Sequence, residues 1–140
     1  MMNDNFFNVF LDQLLTNKDQ IQRFIAEFAN PAEAEELIAS LKQREEVGNT
    51  MIAEHVILPH LESRKIEQSQ VLLIRLAEPI DLDEKTPAVQ LIITILLKSG
   101  ETQTTKKRIA QFMRQLADEE FLEALLNAEN EELFYQKLEE

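Results

Sequence analysis

Two runs, Val71 to Leu76 and Val89 to Leu97, are apolar at almost every position, with Arg75, Gln90 and Thr94 the exceptions. A strand that is apolar on both sides cannot leave either side in water, so these runs read as buried strands of a sheet covered above and below. The cover has to come from the rest of the 140 residues, and the apolar spacing there is largely helical.

Phe6, Phe7, Phe10, Leu11, Leu14 and Leu15 recur at intervals of three and four, which predicts an amphipathic helix over Phe6 to Leu15, although Phe7, Val9 and Leu11 also alternate. Ile21, Phe24, Ile25 and Phe28 predict a second helix over residues 17–29, with Asn17 as its N-cap and Asn30-Pro31 as its end. A further helix starts at Ala32, places Leu37, Ile38 and Leu41 on one face, and carries Glu33, Glu35 and Glu36 where the macrodipole favours acids. Val47-Gly48-Asn49-Thr50 reads as a turn, and Met51 to Leu58 as a short extended or looped segment closed by Pro59. Pro79, Asp81, Asp83 and Pro87 punctuate the connection between the two buried strands. Past Ser99-Gly100 the helical period returns with Ile109, Phe112, Met113 and Leu116, then Phe121, Leu122, Leu125 and Leu126 behind an Asp118 cap, then a short helix from Glu131 to Leu138. Helices, strands and helices in this order predict a three-layer α/β/α sandwich, a small mixed sheet flanked by helices, with residues 1–140 as one domain.

Fourteen Lys and Arg against 26 Asp and Glu give a net charge of −12, which opposes attraction to nucleic-acid phosphates or anionic lipid. The start, Met-Met-Asn-Asp-Asn, has no basic residue before Lys18 and does not resemble a secretory signal. No apolar stretch approaches the roughly 20 residues that a spanning helix needs. The expectation is a soluble, cytoplasmic protein. With no cysteine, disulfides and thiolate chemistry are excluded.

Both histidines, His55 and His60, fall between Met51 and Leu61. Imidazole serves near neutrality as a base, a nucleophile or a metal ligand, and as readily packs without a chemical role. His60 follows Pro59, whose ring fixes φ and stiffens the chain just before the imidazole. The two histidines, five apart with a proline between them, do not have the spacing of a helical zinc motif, although Glu54 and Glu62 could add oxygens. Neither Gly48 nor Gly100 belongs to a phosphate-binding loop, and no nucleophile-elbow sequence is present. Lys106-Lys107-Arg108 reads as a solvated helix start or as help in holding an anionic group.

The run Arg44-Glu45-Glu46-Val47-Gly48-Asn49-Thr50-Met51-Ile52-Ala53-Glu54-His55-Val56-Ile57-Leu58-Pro59-His60 resembles the "RE … T-x-(I/L)-G-(E/N)-x-(I/V)-A-(I/V)-P-H" signature of the mannitol/fructose-type IIA domain of the phosphoenolpyruvate-dependent sugar phosphotransferase system. Val71 to Leu76 followed by Glu78-Pro79-Ile80-Asp81-Leu82-Asp83 is similar to that family's strand and "(E/K)-P-I-x-(F/W)-D", and Ala117-Asp118-Glu119-Glu120-Phe121 to its late helix start. The resemblance covers about Leu37 to Leu138.

It implies that His60 accepts a phosphoryl group from the phosphocarrier protein HPr and passes it to a IIB domain, making the chain a phosphotransferase component that needs no metal or cofactor. It implies that Arg44 lies near the phosphohistidine and pairs with phosphoryl oxygens, and that Glu54 orients or hydrogen-bonds the His60 ring. The second histidine common in the family is replaced by Thr105, where a hydroxyl from Thr104 or Thr105, with Lys106 for charge, would take its place. Leu61 and His55 stand where small residues are common. Two other readings of the resemblance are a regulatory IIA-like domain that binds a partner protein and is switched by phosphorylation of His60, and a degenerate domain with a structural interaction role.

Overall fold

The computed structural model describes residues 6–48 and 50–139. The Met1–Asn5 start, Asn49 of the turn and signature, and Glu140 lie outside them. Val71–Leu76 and Val89–Leu97 form the middle of a six-stranded sheet, as the antiparallel strands β5 (Gln70–Ile80) and β6 (Val89–Lys98). The other strands are β1 (Phe7–Gln13), β2 (Met51–Ala53), β3 (Val56–Ile57) and β4 (His60–Ser63).

The first segment is a strand, which corrects the helix expected over Phe6 to Leu15. β1 pairs in parallel with β5, Phe7 opposite Val71 and Phe10 opposite Ile74. A strand in this position needs apolar residues on both faces, and two-sided apolarity over so short a span imitates spacings of three and four. Phe6 and Val9 are buried on one face, while Phe10 on the other meets Phe24 and Phe28 edge-on at 5.3 and 5.7 Å. Such ring pairs contribute about 0.5–1.5 kcal/mol each beyond their burial, and they bind β1 to the helix that follows.

That helix, α1 (Lys18–Ala29), is capped by the Asn17 side chain, which accepts from the Gln20 N–H. The Asn30 side chain then caps a single 3-10 turn, Pro31–Glu33, which leads into α2 (Ala34–Val47). Both helices cover one face of the sheet, where Ile21, Ile25, Leu37 and Leu41 pack on Leu72, Ile74, Ile92 and Leu96. On the other face, Val71, Leu73, Leu91, Ile93 and Ile95 pack against α3 (Gln103–Gln115), α4 (Glu119–Asn127) and α5 (Glu131–Glu139), through Ile109, Phe112, Leu122, Leu125 and Phe134. Alternate residues of β5 and β6 thus feed two separate cores, and the three-layer α/β/α sandwich with a mixed sheet is as expected. No helix among the described residues is long and apolar enough to cross a membrane.

β3 and β4 both pair in parallel with β6, and in one register: Val56 and Ile57 face Leu91 and Ile92, and His60 and Leu61 face Ile95 and Leu96. They form one line of strand interrupted at Leu58-Pro59, with β2 paired outside its first half. Proline has no N–H for the ladder, which accounts for the break. The Pro59 carbonyl still accepts from Ile95 N at 3.0 Å, so pairing resumes at once and His60 is the first residue beyond the gap.

Candidate functional site

His60 is anchored by its ladder position and half-buried. It lines a narrow, mostly apolar cavity between α1, α2 and the β3–β4 line, together with Arg44, Glu45, Lys18, Gln22, Ile25, Leu41 and Pro59. Arg44 reaches this place because it lies in the last turn of α2, where a cation also complements the helix macrodipole. The His60 Nε2 is buried and has no hydrogen-bond partner among the described residues. Burial, and then the positive charge of Arg44, hold the His60 imidazole below its ordinary value of 6.5, against a smaller opposite pull from Glu62. The ring is therefore neutral at neutral pH, with a lone pair on one nitrogen. A neutral imidazole beside a guanidinium offers a nucleophile and a counter-charge to an anionic electrophile.

The other site residues expected from the sequence fall elsewhere. The Glu54 carboxylate is exposed and lies 3.0 Å from Nε2 of His55, so it partners that ring and not the ring of His60. The backbone explains this: His55 adopts φ of 71° and turns the chain between β2 and β3, directing its own Nδ1 to the Ala88 carbonyl at 2.7 Å. The carbonyl of His55 accepts from Gln90 and Leu91 N–H at 2.9 and 3.0 Å. His55 thus joins two connections of the sheet, an evident packing role for a residue without one in the sequence.

Thr105 does not line the His60 cavity. It sits in the first turn of α3, its N–H bonded to the Thr102 hydroxyl that caps the helix, and borders a different hollow with Ser69, Lys98, Glu101 and Arg108. Of the basic cluster, Arg108 lies 4.0 Å above the Phe6 ring, a cation–π contact on the α3 side of the sheet. An N-cap threonine followed by a cation stacked on the core is a helix start, which is the plainer of the two readings of this segment.

Two residues not singled out by their sequence pattern, Gln22 and Lys18, do reach the cavity, where they meet Glu45 of the signature run. Gln22, buried on α1, donates to the Glu45 carboxylate at 2.6 Å, and Lys18 lies 3.7 Å from the same carboxylate and 3.1 Å from Asp83. Partial burial lowers the affinity of Lys18 for its proton, but Asp83 and Glu45 outweigh it and hold the ammonium above its ordinary value. Only the packing of α1 across α2 brings these groups to His60. Among the described residues no cluster of three or more His, Cys, Asp or Glu is placed to hold a metal ion.

The sequence is 31% identical over 130 residues to the multiphosphoryl transfer protein of Escherichia coli O157:H7, an alignment that takes in 88% of this chain and 15% of that protein. The chain thus spans about 15% of the length of the relative it matches. Its backbone matches the nitrogen regulatory protein IIA-Ntr from Neisseria meningitidis with a TM-score of 0.77 at 18% identity, over 95% of this chain and 96% of that one. It matches the complex of enzyme IIAMTL and phosphorylated enzyme IIBMTL from Escherichia coli with a TM-score of 0.71 at 18% identity, over 99% and 97%. The family model for the phosphoenolpyruvate-dependent sugar phosphotransferase system, EIIA 2, matches residues 6–140, so the resemblance carried by the Arg44 to His60 run extends over the whole described chain, which belongs to that family.

Proposed function

We propose that this protein is a cytoplasmic phosphoryl carrier that takes a phosphoryl group from HPr on His60 and delivers it to a IIB domain, residues 1–140 acting as one EIIA unit. The observation that carries this reading is the cavity shared by a half-buried, neutral His60 and the guanidinium of Arg44. The lone pair of the imidazole attacks phosphorus, the donor's bond to phosphorus breaks, and its electron pair returns to the donor. In delivery a IIB thiolate attacks the same phosphorus and the N–P electrons return to the His60 ring. Arg44 balances the charge on the equatorial oxygens in both directions. The similarity to a IIA component solved with a phosphorylated IIB supports the choice of acceptor.

Incubation with phosphoenolpyruvate, Enzyme I and HPr, followed by intact-protein mass spectrometry at neutral pH, is expected to show one phosphoryl adduct. His60→Ala removes it, and Arg44→Ala slows its formation about a hundredfold to a thousandfold, the range for loss of a charge-stabilising donor. An unchanged adduct in the His60 variant would sink the assignment.

The likeness to nitrogen regulatory IIA-Ntr favours a second reading, in which phosphorylation of His60 switches the binding of a partner protein and no sugar is transported. Transfer from the phosphorylated protein to a IIB cysteine separates the two, since only the carrier loses its label to IIB.

A further inference from the structure

Lys18 opens α1, and carboxylates from two other elements hold its ammonium: Asp83 in the β5–β6 connection at 3.1 Å and Glu45 in the last turn of α2 at 3.7 Å. The same side chain lines the His60 cavity and an open groove next to it, bounded by Glu46, Val47 and Gly48 on one side and by Leu82 to Thr86 on the other. Lys18 therefore stands where the two hollows meet. Asp83 divides its oxygens: Oδ2 faces Lys18, while Oδ1 accepts from the Lys85 N–H and the Thr86 hydroxyl, each at 2.9 Å. The shape of this tip depends on a carboxylate whose other oxygen is held by Lys18.

The His60 cavity has about 30 Å³ of free space, room for one water molecule. A phosphoryl group on the ring would project among the groups that line this cavity, Lys18 and Arg44 included. It also brings between one and two negative charges, more than either carboxylate that Lys18 now contacts. An ammonium on a flexible stem, with three rotatable donors, can change partners without strain.

We propose that Lys18 is an exchangeable cation that leaves Asp83 for the phosphoryl oxygens when His60 is phosphorylated, loosening the Leu82 to Thr86 tip so that the groove has one form before transfer and another after it. A partner docking across that groove then distinguishes the two states by shape as well as by charge. This rests on the reading of His60 as acceptor.

The test makes phospho-His60 without any protein donor. Phosphoramidate is attacked by the ring nitrogen, its P–N bond breaks, and the nitrogen takes up a proton and leaves as ammonia. Hydrogen exchange is then followed at the Lys85, Thr86 and Ala88 amides. In the wild type, phosphorylation is expected to speed this exchange about threefold, the effect of losing one exposed ion pair. In Lys18→Met the exchange is already fast and phosphorylation adds nothing. Full phosphorylation of His60 with unchanged exchange at the tip overturns the proposal, as does slow exchange in Lys18→Met. If HPr fails as donor but chemically made phospho-His60 still loosens the tip, the transfer reading falls and the exchange of partners stands. If phosphoramidate labels no histidine at position 60, both fall.

Discussion

His60 loses affinity for its proton because the fold half-buries it and sets Arg44 beside it. In the unfolded chain the ring titrates near 6.5, and in the folded chain lower. Between those values the unfolded state binds more protons, so this group contributes stability that is complete above the unfolded value and is lost as pH falls through the folded one. Urea unfolding at a series of pH values from 7 to 4 should therefore show the wild type losing more stability on acidification than His60→Ala. Parallel curves would show that the ring titrates normally. At this scale the sequence was informative where a residue's role depended on its near neighbours. The Pro59-His60 pair and the approach of Arg44 were both legible in the signature run. Glu54 was not, because the left-handed turn at His55 decides which ring it meets. Nor was Thr105, whose surroundings depend on where α3 packs.

At the scale of elements, Arg75 is the one buried arginine among the described residues. It lies on β5, donates to the Leu125 and Leu126 carbonyls at 2.8 and 3.2 Å, and stands 5.9 Å above the Phe134 ring. Those carbonyls end α4, so a strand supplies the cation that closes a helix of the far layer. Arg75→Met keeps the bulk and removes the donors. It should cost about 1.5–3 kcal/mol, as for bonds from a charged group, read as a lower urea midpoint with unchanged slope, and a midpoint within error of wild type would remove the cap from the account. The same dependence on distant partners explains what the pattern concealed. α1 and the helices from α3 to α5 were legible because their caps and stripes are local. β1 was not, since its character comes from Val71 to Ile74 far along the chain. β4 was missed for a related reason: four residues after a proline carry little signal until β6 pairs with them.

The whole molecule carries a net charge of −12, and Glu45, Glu46, Asp83 and Glu84 border the groove beside His60. A donor with a basic face is drawn to such a surface, and salt screens the attraction. The second-order rate of phosphorylation by HPr should fall about tenfold between low and half-molar salt, whereas the rate with phosphoramidate changes little. Equal salt dependence of the two would exclude steering.

The common register on the two sides of Pro59 also bears on how reliably the chain reaches this arrangement. A parallel strand shifted by one residue would turn each side chain to the opposite face. Here Val56, Ile57 and Leu61, on both sides of the break, are all buried, so a slip of one residue would turn each of them away from the core it fills. These three side chains act as an index mark during assembly, bringing the same imidazole to the same rung in each molecule that folds.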